Sequence, residues 1–255
     1  MVLKGLSFSI APGEKVGCVG RTGAGKSSIT QALFRLINME KQEGSSLKID
    51  GVDIRDIGLH TLRHSISIIP QLPFVFSGTI RRNLDPLNEY TDEKLWDVLE
   101  DVELKKAVEA QPEKLLTDMT QSNAVFSTGQ KQLICLARAI LKNNKILILD
   151  EATANVDLET DKFIQTKIKE KFNKCTMLTI AHRILTIANY DKVLVLEKGM
   201  SKEFDHPFNL LVKEENDKEI TQESFFAELV RNTGEAVSKQ IFDLAREKYF
   251  EKKMK

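Results

Sequence analysis

Apolar and polar positions near the start of the chain follow two rhythms. Leu6, Phe8 and Ile10 are spaced by two, Ala11 to Glu14 is turn-like, and Val16 to Val19 is an apolar run. Alternation predicts a half-buried strand and the run a buried one, so a hairpin is expected there. From Ser28 the spacing of Ala32, Leu33, Leu36 and Ile37 is helical. A second hairpin is predicted from Leu47 to Ile54 around Asp50-Gly51, a dipeptide that accepts the positive φ angles of a two-residue turn. Ile66 to Ile69 reads as a short buried strand that Pro70 stops.

Between about Ser77 and Asn144 the pattern is helical. Thr91 is placed to cap a helix with Asp92 and Glu93 in its first turn and Leu95, Val98, Leu99 and Val102 on one face. Pro112 ends or kinks the next helical stretch. Gln130 to Leu141 follows, with Leu133, Leu136, Ala137 and Ile140 on one side. Strand patterns return at 145–149, 176–180 and 193–196, separated by helical stretches near 163–168 and 184–188. Strand alternating with helix predicts an α/β fold with a mostly parallel sheet. The segment after about Asp205 is charged and mostly helical, and carries no recognisable chemistry.

Composition narrows the class without choosing a function. The 255 residues suffice for one large α/β domain or a core domain with an inserted subdomain. Basic and acidic residues both number 37, so no bulk attraction to nucleic acid or anionic lipid is expected. Cys18, Cys135 and Cys175 are unclustered, which argues against a disulfide framework or a zinc site and suits a reducing compartment. No apolar run approaches the ~20 residues of a membrane-spanning helix, and the first residues do not begin a signal peptide. The chain opens inside a strand pattern, so a piece of a longer protein is expected.

Candidate chemistry begins at Gly20-Arg21-Thr22-Gly23-Ala24-Gly25-Lys26-Ser27-Ser28, a G-x-x-x-x-G-K-[ST] pattern between a strand and a helix. Glycines let backbone N–H groups converge on a phosphate chain, and the helix N-terminus adds positive partial charge. Lys26 would reach the β- and γ-phosphates and Ser27 would hold Mg²⁺. A second element is Ile146 to Leu149 followed by Asp150-Glu151, an apolar strand with two carboxylates at its end. Asp150 suits Mg²⁺-bound water and Glu151 suits orienting or deprotonating an attacking water; the plainer alternative is an acidic cap on the next helix. Ser127, Gly129 and Gln130 form another anion-binding helix start, or a simple N-cap.

Phe126-Ser127-Thr128-Gly129-Gln130-Lys131-Gln132-Leu133 resembles the signature of ATP-binding cassette proteins. The order phosphate loop, Gln71, signature, Asp150-Glu151, Ala154 to Asp157, His182 is also that of the cassette family, across nearly the whole chain. The resemblance implies a P-loop NTPase core with N-terminal antiparallel hairpins and an inserted helical subdomain at about 77–144. Residues 1–205 would form the nucleotide-binding domain and 206–255 a helical extension. It further implies that Gln71 touches Mg²⁺ or the attacking water, that His182 contacts the γ-phosphate, and that Ala154 to Asp157 crosses to an opposite cassette. Taken alone, Gln71 and His182 are equally strand-end structural residues, and Asp157 a helix cap.

The stretch Pro70 to Pro86, with Asp150 to Asp157 and Thr179 to Arg183, is similar to the second cassette of subfamily C, the multidrug-resistance-associated proteins. That resemblance implies ATP and Mg²⁺ as cofactors and a second nucleotide-binding domain docked head-to-tail. It also implies transmembrane domains and a place on the cytoplasmic face of a membrane, with export of a small molecule or organic anion powered by hydrolysis. A nucleotide-sensing or channel-gating cassette is the alternative, and a soluble cassette acting on ribosomes or DNA fits the motifs less well. The chain departs from the family at Thr128 and at Gln121, Asn123 and Val125. The aromatic that stacks adenine in the family would lie upstream of Met1, with Phe8 read as core. The isolated chain is therefore expected to bind ATP more weakly, by about 1–3 kcal/mol.

Overall fold

The strands at 15–20, 66–69, 146–150 and 192–197 form where apolar runs end in glycine, proline or carboxylate. In the computed structural model, residues 2–38, 44–120, 126–152 and 156–254 are described. In chain order they include β1 (Lys15–Gly20), α1 (Lys26–Leu33), β2 (Lys48–Ile49), β3 (Val52–Asp53), α2 (Leu59–Ser65), β4 (Ile66–Ile69) and α3 (Ile80–Leu84). These are followed by α4 (Asp92–Asp101), α5 (Lys105–Glu109), α6 (Thr128–Lys142), β5 (Ile146–Asp150) and α7 (Leu158–Lys171). The remainder is β6 (Thr176–Ile180), β7 (Lys192–Glu197), β8 (Met200–Asp205), α8 (Phe225–Arg231) and α9 (Glu235–Lys253). Met1–His64 with Thr176–Lys255 make one unit, and Ser65–Cys175 a second.

In the first unit β6, β1 and β7 run parallel and β8 joins antiparallel, in the order β6-β1-β7-β8. Alternation assigns the two faces. Val16, Cys18, Leu178, Ile180, Leu194 and Leu196 pack with Ile29 of α1. Val19, Val193 and Val195 join the opposite cluster with Phe208, Phe226, Ile241 and Phe242. The segment after Asp205 therefore completes one of the two cores of this sheet. In the hairpin of β2 and β3, Ile49 pairs with Val52 across Asp50 (φ 50°) and Gly51 (φ 82°), the predicted two-residue turn.

In the second unit β4 and β5 are parallel, with Ile69 opposite Leu149. Thr91 caps α4 by accepting from the Lys94 backbone N–H, and Leu95, Val98, Leu99 and Val102 are buried as their spacing predicts. Helix α6 is buried on more than the predicted stripe: Ile134, Cys135, Ala139 and Leu141 are also inside. It packs against α3, α4, α7 and β4, so no single face carries all its apolar positions.

Two local expectations differ from the structure, and two elements were not anticipated. Leu6, Phe8 and Ile10 keep their alternation and pack on the first core, but residues 6–10 form no strand; Lys4 N instead donates to Gly199 O at 2.7 Å. Residues 184–187 make a 3-10 turn instead of an α-helix. Leu59–Ser65 is a helix that no periodicity announced, and Met200–Asp205 a strand that polar side chains concealed. Its clue was Lys198-Gly199, whose φ angles of 51° and 82° make the same kind of tight turn as Asp50-Gly51. Gln121, Asn123, Val125, Ala154 and Asn155 lie outside the described residues. Among the described residues no helix is long and apolar enough to cross a membrane.

His206 gives the first unit a pH dependence. It is buried against Tyr249 at 5.2 Å between ring centroids, and its Nδ1 accepts from Phe208 N at 3.2 Å. Burial, with Lys252 nearby, pushes its pKa down to about 4, although Asp191 and Asp205 oppose the shift. Between about pH 4 and 6.5 the unfolded chain binds the proton that the native chain refuses, so stability falls as pH drops through that window and is flat above it. His206→Asn keeps an acceptor for the N–H two residues on and does not titrate. Urea denaturation from pH 7 to 4.5 is expected to show a shallower loss of stability in this variant.

Candidate functional site

The phosphate loop is built by a strand that stops and a helix that starts without a side-chain cap. Gly25 is the N-cap of α1 at φ 103°, and no side chain bonds the first-turn N–H groups, the arrangement in which a helix N-terminus receives an anion. Gly20 cannot be replaced without moving backbone, since a Cβ there would stand 2.2 Å from the Leu196 carbonyl oxygen. Ala24 is buried beneath the loop, while Arg21, Thr22, Gly23 and Ser27 are exposed and Lys26 and Ser28 half-buried. Lys26 Nζ donates to Gly20 O at 2.8 Å, which holds its ammonium across the loop. Arg21 pairs with Glu228 of α8 at 2.8 Å, an exposed contact of small energetic weight.

His182 belongs to the same unit. Cys18 of β1 is opposite Ile180 of β6, and Ala181 N donates to Cys18 O at 3.0 Å. The parallel register therefore brings exposed His182 to the strand end from which the phosphate loop departs.

The second unit holds the carboxylates. The pairing of Ile69 with Leu149 puts the residues after β4 beside those ending β5. Gln71 Nε2 donates to Glu151 Oε2 at 2.7 Å, a bond between residues 80 positions apart. Glu151 lies at φ 47°, a left-handed backbone conformation unusual for a residue with a Cβ and of the kind concentrated at functional sites. Asp150, half-buried, closes the strand.

Ser127 and Gln130 form a reciprocal capping box at the start of α6: Gln130 N donates to Ser127 Oγ at 3.2 Å and Ser127 N to Gln130 Oε1 at 2.9 Å. A Cβ on Gly129 would touch Thr160 at 3.4 Å, so this helix start adjoins that of α7. Asp157 caps α7, accepting from Glu159 N and Thr160 N at 3.1 and 3.0 Å, and the bonds from Thr160 hold its carboxyl below the usual range. The cap alternative for Asp157 is thus present in the structure, and the N-cap alternative for Ser127 is as well.

Sequence reasoning passed over a polar network around residues 70–83. Gln132 Nε2 donates to Pro70 O at 2.8 Å, and Arg138 donates to Phe74 O at 2.5 Å and to Asn83 Oδ1 at 2.8 Å, its guanidinium 5.3 Å from the Phe76 ring centre. Asn83, fully buried, bonds the backbone of Phe76 in both directions. Gln132 and Arg138, polar residues set among the apolar positions of α6, were the available signal.

The oxygen donors among the predicted metal residues, a serine hydroxyl, a carboxylate and an amide, suit a hard cation such as Mg²⁺. Because Gln71 turns its nitrogen to Glu151, its amide oxygen is the end left to accept.

Residues 3–154 match the family model described as ABC transporter. The chain is 52% identical over 250 residues to ATP-binding cassette sub-family C member 4 of Mus musculus, covering 98% of this chain and 18% of that protein. It is 52% identical over 248 residues to the probable multidrug resistance-associated protein lethal(2)03659 of Drosophila melanogaster, covering 97% of this chain and 17% of that one. Among solved structures, a bacterial Atm1-family ABC exporter with ATP bound superimposes with a TM-score of 0.79 at 30% identity, over 92% of this chain and 39% of that one. The chain thus spans under a fifth of the length of the curated relatives it matches.

Proposed function

The chain belongs to the ABC transporter family, as an ATP-binding domain of the subfamily C type, and from that premise we propose that it hydrolyses ATP to drive export through attached transmembrane domains. Residues 1–205 form the cassette proper in this reading and 206–255 its extension. The phosphate loop from Gly20 to Ser28 holds the triphosphate by backbone N–H groups and Lys26. Ser27, Asp150 and the Gln71 amide oxygen would hold Mg²⁺, which when bound neutralises charge on the β- and γ-phosphates. Glu151 takes the proton of the attacking water, Gln71 keeps that carboxylate in place, and His182 donates to the γ-phosphate.

The observation that carries hydrolysis over nucleotide sensing is Glu151 itself, a carboxylate at a strand end fixed by the 2.7 Å bond from Gln71. Ser127, Gly129 and Gln130 would close over ATP held by a second cassette, which makes a head-to-tail pair the working unit. The cassette lies at the cytoplasmic face of a membrane in this reading and meets the bilayer only through the transmembrane domains. With equal numbers of basic and acidic residues, no nucleic-acid partner is assigned.

The test uses the full-length protein in inside-out vesicles. ATP-dependent accumulation of an organic anion that stops when only a non-hydrolysable analogue is supplied is the expected result. Nucleotide-gated current without such accumulation would establish the gating alternative instead.

A further inference from the structure

We infer that Gln132 is a positioning residue for hydrolysis, holding the segment that carries Gln71 and thereby the orientation of Glu151. The inference rests on the reading of Glu151 as the base. Residues 70–76 have no helix or strand of their own, and Leu72 and Phe74 are 70% and 65% exposed, so burial alone does not fix this loop. Side-chain bonds do. Gln132 grips Pro70 O at 2.8 Å, Arg138 grips Phe74 O, and Asn83 grips Phe76. Gln132 and Arg138, about a turn and a half apart on α6, both reach this segment, so the loop follows that helix. Gln71 sits immediately after the first grip and bonds Glu151 at 2.7 Å.

Gln132 is the grip closest to both ends of this relay. It lies two residues beyond Gln130 of the capping box, so a shift of the start of α6 on contact with a second nucleotide moves it directly. The side chain is 1% exposed. Since Pro70 O can only accept, the amide nitrogen must face it, which fixes the orientation of the group. Its Oε1 is buried and accepts no hydrogen bond among the described residues. Methionine, of similar length, would remove both the grip and this unpaired acceptor, so Gln132→Met is expected to fold with nearly unchanged stability.

In the full-length protein, Gln132→Met is expected to lower kcat for ATP about 10-fold with KM within about 2-fold, the pattern of an interaction needed for reaction but not for binding. Combined with Gln71→Ala it should add nothing, because Gln132 acts through Gln71. Should the methionine variant misfold, Gln132→Asn keeps the polarity, is one methylene too short to reach Pro70 O, and is expected to show the same loss in kcat. A kcat within 2-fold of wild type, a loss confined to KM, or an effect additive with Gln71→Ala would overturn the inference. Glu151→Gln measured in parallel separates the two levels. If that variant is slow while Gln132→Met is not, only the role of Gln132 falls; if Glu151→Gln hydrolyses normally, the assignment of the base falls and takes Gln132 with it.

Discussion

Glu151→Gln in the full-length protein is expected to reduce ATP turnover at least ~100-fold while nucleotide still binds, the usual scale for loss of a general base. The substitution is close to isosteric, and a Gln at 151 retains an oxygen that can accept from Gln71 Nε2, the bond observed at 2.7 Å. The loop is therefore held as before and the change isolates basicity. Glu151 also sits at φ 47°, and Gln keeps the same backbone demands as Glu there, so strain does not change sign. Steady-state phosphate release, measured beside equilibrium binding of a fluorescent ATP analogue, checks both halves. Turnover within 3-fold of wild type would remove Glu151 from the chemistry.

The second large effect is on binding. Lys26→Ala is expected to weaken ATP affinity about 10- to 100-fold, since a charge-assisted hydrogen bond contributes about 1.5–3 kcal/mol. In the structure the Lys26 ammonium is held by the Gly20 carbonyl at 2.8 Å, a neutral acceptor that phosphate oxygens readily outcompete. Removing the half-buried side chain leaves Ile29 and Ala32 of α1 in the core, so the fold should persist. Calorimetric titration with ATP, set against thermal melting without nucleotide, separates lost phosphate contact from lost structure. Unchanged affinity would contradict the assignment of the loop.

These two residues were legible because their signals are local. The strand Lys15–Gly20, the loop glycines Gly20, Gly23 and Gly25, Lys26 and Ser27 lie within thirteen positions, and the apolar run before Asp150-Glu151 announces a buried strand with its acids at the end. The second hairpin, the cap at Thr91 and the buried face of α4 were read from spacing for the same reason. The strand Met200–Asp205 was missed because its outward positions are polar and its pairing is supplied by β7. The N-terminal alternation overstated what residues 6–10 do, since packing on a core requires the right spacing but not a ladder partner.

The chain's order of motifs and its elements follow from periodicity and turn chemistry, which act over a few residues. The left-handed backbone at Glu151, its bond to Gln71, and the hold of Gln132 and Arg138 on the loop were decided by tertiary structure. They join positions about 60 to 80 apart through the register of parallel strands and the many-sided burial of one helix. Neither leaves a period in the sequence, because a register is set by pairing between distant segments, and the partner a helical side chain reaches across the fold is not written in the spacing of its own helix.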